Sequence, residues 1–191
     1  GAKIAMQINH CGRQTTEKVT GTQPIAPSAV FDKSLFVMPR EMTETDIERV
    51  IEAFAQSARR VKESGFDAVQ LHGAHGYLIS QFLCPHTNRR QDKWGGTIEN
   101  RMRFVTEIYK RTRKSVGDDY PAYVLCGSCS NATITNSSNL SYSILKNCGI
   151  GAIGGTNLTY YNSGLTKFKD HGSDQGWAYM FAYCLAKDKL T

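Results

Sequence analysis

Residues 43–72 read TETDIERVIEAFAQSARRVKESGFDAVQLH. Thr43 followed three residues later by Asp46 is a capping-box-like helix start. Ile47, Val50, Ile51, Phe54, Ala58 and Val61 then share one face of a 3.6-residue repeat, which predicts an amphipathic helix. Gly65 stands where a left-handed residue closes such a helix. Directly after it, FDAVQLH (66–72) has the short apolar run of a buried strand. A helix feeding straight into a buried strand calls for a parallel sheet, because a parallel crossover needs a helix to cover the sheet face.

The same unit recurs on both sides. Upstream, KIAMQIN (3–9) reads as a short buried strand, joined to the helix by a loop holding the two prolines of QPIAPS. Downstream, a helix is expected from about Ile98 to Val116, with Met102, Val105, Ile108, Tyr109 and Thr112 inward and Gly117 as its stop. AYVLC (122–126) reads as a strand, NLSYSILKNC (139–148) as a helix and GIGAIGG (149–155) as a further strand. The stretch 157–176 is polar and Gly-rich. Trp177, Met180, Phe181, Cys184 and Leu185 then fall like one apolar helix face. The alternation of strand and helix makes the fold class α/β with a parallel sheet, whose ligand-binding loops belong at the carboxyl ends of the strands.

Composition narrows the function classes. The 191 residues are 40% hydrophobic and 21% charged, the balance of a globular domain with a real core. No run approaches the roughly 20 apolar residues of a membrane span. GAKIAMQINH lacks the charged-then-apolar order of a secretory signal, so the expected location is cytoplasmic, or the true start is missing. The net charge of +6 has no aromatic-interleaved basic stripe, which argues against a nucleic-acid partner and reads as a solvated surface that favours anionic ligands; with no membrane span, no membrane partner is expected either. Six cysteines follow no disulfide framework. Cys126 and Cys129 have CxxC spacing but no second pair, and the Asn131, Asn136, Asn139 and Asn157 triplets matter only in a secreted protein.

The chemistry concentrates at strand ends. QINHCGR follows the first strand, and HGAHGYLISQFLCPHTNRRQDKWGG (72–96) follows the second. Histidines can donate to a carbonyl oxygen and stabilise charge developing on it, and a tyrosine hydroxyl can deliver a proton. His72, His75 and Tyr77 together suit reduction of a polarised double bond. Their spacing alone leaves two other readings open: loop histidines that cap backbone groups, or a metal pair with Cys84 that lacks a fourth ligand.

HGAHGYLISQFLCPHTNRRQDKWGGTIENRMRF closely resembles the signature of the old yellow enzyme family of NADH:flavin oxidoreductases, in its NADH-oxidase-like branch. The resemblance extends to QINHCGRQ (7–14), to IAPS (25–28) and to the run from PREMTETDIERV to HGAHGYL, and so covers roughly the first 120 residues. It implies a (β/α)8 TIM barrel holding FMN, with NADH or NADPH as hydride donor and an α,β-unsaturated carbonyl or similar acceptor as small-molecule substrate. It implies that Gln7 hydrogen-bonds the pyrimidine edge of FMN, that His72 and His75 bind the acceptor, and that Tyr77 donates its proton. It further implies that Arg101 and Arg103 fix the loop under the site.

A barrel of this kind has ~250 residues. The expectation is therefore a partial barrel of about strands three to six over residues 1–156, with a diverged C-terminal segment at 157–191. At the end of the AYVLC strand the family pattern has an Arg or Lys, where this sequence has Leu125 or, with one residue of slippage, Cys126. The family's Gly-rich phosphate loops and arginine have no counterpart in GLTKFKDHGSDQGWAYMFAYCLAKDKL. Two further outcomes stay open: a truncated, non-catalytic remnant or interaction domain that no longer binds FMN by itself, and a barrel completed by a homo-oligomer or a partner chain.

Overall fold

A computed structural model describes residues 2–126 and the strand at 152–154. The chain divides into two units, Gly1–Val124 and Leu125–Thr191. In order, the elements are β1 (Ala5–Ile8), α1 (Glu17–Thr20), β2 (Ile25–Ala26), β3 (Arg40–Glu41), α2 (Glu44–Glu63), β4 (Ala68–His72), α3 (Leu78–Leu83), α4 (Ile98–Val116), β5 (Ala122–Cys126) and β6 (Ala152–Gly154). The second unit is described at the end of β5 and at β6, which lies inside the strand expected at 149–155. The expected helices at 139–148 and around Trp177–Leu185, and the second cysteine of the CxxC pair, lie outside the described residues.

The α2 start is the capping box its sequence announces. The Thr43 side chain accepts from the Asp46 backbone N–H, and the Asp46 carboxylate accepts from the Thr43 N–H at 2.9 Å. Arg40 donates to the same carboxylate at 2.7 Å and holds its pKa far below the usual carboxylate range. All six residues expected on the inner face of α2 are buried, with Ala55 beside them. Gly65 follows with φ +83°, a backbone turn that a residue with a Cβ resists.

β1 and β4 run parallel, in a register that sets Ala5 against Ala68, Gln7 against Gln70 and Ile8 against Leu71. In the first unit the sheet order is β1-β4-β5. Successive strand residues point to opposite faces. On β4, Val69 and Leu71 are fully buried. Val69, Ala122 and Val116 join Ala58 and Val61 of α2 and Tyr120 in one apolar cluster, with Ile8 and Phe66 packed against it. Burying such side chains stabilises by roughly 1.5–3 kcal/mol each. α2 also packs along α4, and Phe82 of α3 stacks on Phe104 of α4 at 3.9 Å between ring centroids. The opposite face of the sheet is left to Gln7, Gln70 and Tyr123.

Two features depart from the sequence reading. Residues 78–83, read as part of a long loop, form α3, in which five of six residues are buried. The segment between β1 and α2 is more than a proline loop: β2 and β3 pair in parallel, Ile25 with Arg40 and Ala26 with Glu41. Arg90 pins that segment by donating to the carbonyls of Pro27 at 3.0 Å and Met42 at 2.7 Å, while Asp92 neutralises its guanidinium at 2.6 Å.

Candidate functional site

β4 ends on His72, and the chain then turns sharply through Gly73 to Tyr77 before entering α3. Two bonds shape the turn: Tyr77 N–H donates to the Ala74 carbonyl at 3.3 Å, and Ser80 Oγ donates to the Gly73 carbonyl at 2.8 Å. His75 adopts φ +57° and Gly76 φ +73°, two left-handed residues in succession. This brings the three expected side chains together. His75 Nδ1 lies 3.3 Å from His72 Nε2, and the ring centroids are 5.1 Å apart. The Tyr77 ring centroid is 5.2 Å from that of His72.

His72 is 6% exposed, while His75 is open to solvent. Burial, and secondarily the neighbouring His75, push the His72 pKa below its ordinary value, which favours the neutral imidazole at pH 7. Its Nδ1 is buried without a hydrogen-bond partner among the described residues. A buried polar atom left so is costly, and in native proteins it calls for an explanation.

Gln7 lies on β1, the neighbouring strand. Its Nε2 donates to Gln70 Oε1 at 2.5 Å, and Gln70 in turn hydrogen-bonds Tyr123. Gln70 precedes His72 by two residues and therefore shares its face of the sheet. Gln7 thus stands on the adjoining strand opposite Gln70, two residues before His72. A carboxamide offers one donor and one acceptor edge, the complement of the N–H and C=O groups of a pyrimidine ring, so the residues present fit the edge of a flavin.

The loop after β1 grips the loop after β4. Leu78 N–H donates to the His10 carbonyl at 3.0 Å, and His10 Nδ1 accepts from Gly12 N–H at 3.0 Å. Burial, then the charge of Arg49, lower the His10 pKa. Gln14 Nε2 donates to the His75 carbonyl at 3.0 Å. Gln81 Nε2 donates to the carbonyls of Gly76 at 2.7 Å and Cys11 at 3.2 Å, and its Oε1 accepts from Arg13 N–H at 3.2 Å. The sequence reading gave neither glutamine a role. Glutamine has no diagnostic spacing, and these bonds join residues as far as 70 positions apart.

Arg101 Nε donates to the Leu83 carbonyl at 2.8 Å and its Nη1 to the Gly96 carbonyl. Arg103 Nε donates to the Lys93 carbonyl at 2.8 Å. Both arginines therefore brace the loop between α3 and α4. Among the described residues no three His, Cys, Asp or Glu side chains gather so as to hold a metal ion, and Cys11 and Cys84 are exposed thiols. Among the same residues no helix is long and apolar enough to cross a membrane.

Against known proteins, the model of the NADH:flavin oxidoreductase / NADH oxidase family matches residues 1–162. An NADH oxidase of Thermoanaerobacter brockii is 56% identical over 122 residues, which are 63% of this chain and 19% of that protein. An NADPH dehydrogenase of Geobacillus sp. (strain WCH70) is 52% identical over 114 residues, 60% of this chain and 33% of its own length. Among solved structures, the old yellow enzyme homologue of Zymomonas mobilis superposes with a TM-score of 0.62 at 30% identity, over 74% of this chain and 42% of that one. The chain thus spans about a fifth to a third of the length of these two relatives.

Proposed function

Because the chain belongs to the NADH:flavin oxidoreductase / NADH oxidase family, we propose that residues 72–77 form the acceptor-binding site of an FMN-dependent oxidoreductase. The reaction takes a hydride from NADH or NADPH and delivers it to an α,β-unsaturated carbonyl compound or a similar small acceptor. When bound, the flavin supplies the hydride chemistry that no side chain carries. Gln7 would hold its pyrimidine edge. The observation that carries the reading is the meeting of His72, His75 and Tyr77 at the carboxyl end of β4, beside Gln7 on β1.

The roles follow from the residues. His72 and His75 each donate an N–H to the acceptor oxygen and stabilise the negative charge that grows there as the hydride arrives. His75 Nδ1 and His72 Nε2 face each other at 3.3 Å, and an acceptor oxygen within reach of both rings would take a charge-assisted bond from each. Tyr77 delivers its hydroxyl proton to the carbon next to the carbonyl and is reprotonated from water. The C=C bond is reduced, the nicotinamide is oxidised, and charge is conserved. A (β/α)8 barrel is the architecture proposed for the whole protein, supported by the parallel strands and the helices packed on one face of their sheet.

One observation favours a second reading, a remnant or interaction domain that keeps the fold without flavin: Leu125 or Cys126 stands where the family pattern has a cation. A titration separates the two. The purified chain supplied with FMN and then with a para-substituted phenol should develop a long-wavelength charge-transfer band, because two donors stabilise the phenolate oxygen over the flavin. Changing His72 and His75 together to alanine should weaken phenol binding at roughly 1.5–3 kcal/mol per lost bond while leaving flavin bound. Bound flavin with no phenol band would overturn the acceptor-site assignment. Tight, histidine-dependent zinc binding would restore the metal reading.

A further inference from the structure

We infer that Gln14 and Gln81 are positioning residues: they hold the two successive carbonyls of His75 and Gly76 and thereby set the imidazole of His75 against that of His72. A left-handed histidine is a conformation that L-residues seldom adopt, so the surrounding structure has to impose it. Here each carbonyl of the left-handed pair has its own amide donor. Gln14 reaches His75 from the loop after β1, and Gln81 reaches Gly76 from α3.

The fit around both side chains points the same way. A Cβ at Gly12 would lie 2.2 Å from Gln81 Oε1, and one at Gly76 would lie 2.5 Å from Gln14 Nε2. Both glycines leave space that the glutamines fill. Gln81 is 1% exposed, and with three bonds its amide uses most of its capacity on the two loops alone. The loop that follows β1, the strand of Gln7, and the loop carrying the histidine pair are thus fastened as one piece. Losing Gln81 takes the amide donor from the part-buried Gly76 carbonyl, and losing Gln14 hands the exposed His75 carbonyl to water; either loss frees His75 to relax toward ordinary backbone angles, which swings its ring away from His72.

What this positioning achieves in turnover rests on the proposed function, but its test does not. In the full chain, proton NMR should show a through-space contact between the His72 and His75 rings. Gln14→Ala removes one donor from a half-buried site, and Gln81→Glu keeps the volume but as a carboxylate cannot donate. In both, the ring contact should fall at least threefold, while Gln56→Ala, which removes an exposed amide on α2, leaves it unchanged. Thermal unfolding checks that each variant is folded, and Gln14→Ala decides the matter if Gln81→Glu is not. An undiminished contact in folded Gln14→Ala would overturn the inference. With FMN present, Gln14→Ala should raise the dissociation constant of the phenol at least tenfold with both histidines intact. If the wild-type rings touch and Gln14→Ala separates them, but bound flavin gives no phenol band, the proposed function falls and this inference stands. If the band forms and Gln14→Ala changes neither contact nor affinity, the inference falls and the proposed function stands.

Discussion

The burial of His72 ties the stability of the fold to pH. Burial keeps its folded pKa below the usual 6.5 of a free histidine. Above that pH both folded and unfolded forms are neutral, and its contribution to stability is fully present. As pH falls below it, the unfolded chain takes up a proton that the folded chain resists, so stability declines until the lowered folded pKa is passed. Urea midpoints should therefore drop as pH falls through the ordinary histidine range, with His10 contributing in the same direction, and His72→Asn should flatten that drop in part; an unchanged slope would mean that His72 ionises as freely in the fold as out of it. Tyr77 makes a separate prediction. Tyr77→Phe should slow reduction of the acceptor by roughly 10²–10⁴-fold, the usual share of a general acid, and leave reduction of flavin by the nicotinamide nearly intact in stopped-flow traces. Equal slowing of both half-reactions would assign Tyr77 to cofactor binding instead. These residues were legible because HGAHGY places chemically unusual groups just past a strand. Spacing alone still left backbone capping and zinc open, and it took the fold to bring the rings within 5.1–5.2 Å.

Helices α2 and α4 were legible almost to the residue, because each carries an apolar stripe and a glycine stop, and α2 a capping box besides. That legibility has an energetic test. Thr43→Ala removes the oxygen that accepts from Asp46 N–H, and should cost about 1 kcal/mol in denaturant unfolding, as N-cap losses typically do. Asp46→Ala should cost more, since the same carboxylate also binds Arg40 at 2.7 Å and Thr43 Oγ1 at 2.8 Å; a smaller loss than Thr43→Ala would show that the network adds nothing to the cap. The elements that were missed lack such signals. α3 is under two turns long, and with Leu78, Ile79, Gln81, Phe82 and Leu83 all buried it has no polar face for a periodicity to reveal. β2 and β3 are two residues each and are held by Arg90 rather than by any alternation of their own.

At the scale of the molecule, the sheet has two unlike faces. Val69 and Leu71 meet the helices, while Gln7, Gln70 and Tyr123 form a hydrogen-bonded polar row on the other face, the side that also bears His72. Under the proposed function this row would meet the ring system of a flavin, and it holds no cation for the phosphate. Phosphate recognition rests on cations and free backbone N–H groups, and the sequence from Gly164 onward has no counterpart of the family's phosphate loops. For the 191-residue polypeptide this separates two ligands that share one ring. FMN and riboflavin should bind with dissociation constants within about threefold of each other, read from quenching of flavin fluorescence. A phosphate held by even two charge-assisted hydrogen bonds, at roughly 1.5–3 kcal/mol each, would favour FMN by a hundredfold or more. A preference of that size would show that this polypeptide supplies its own phosphate site, in residues whose sequence does not resemble the family's. Near-equal affinities would assign the grip on the ring to the strand-end residues, and a loss of both ligands in Gln7→Ala would then locate it on β1.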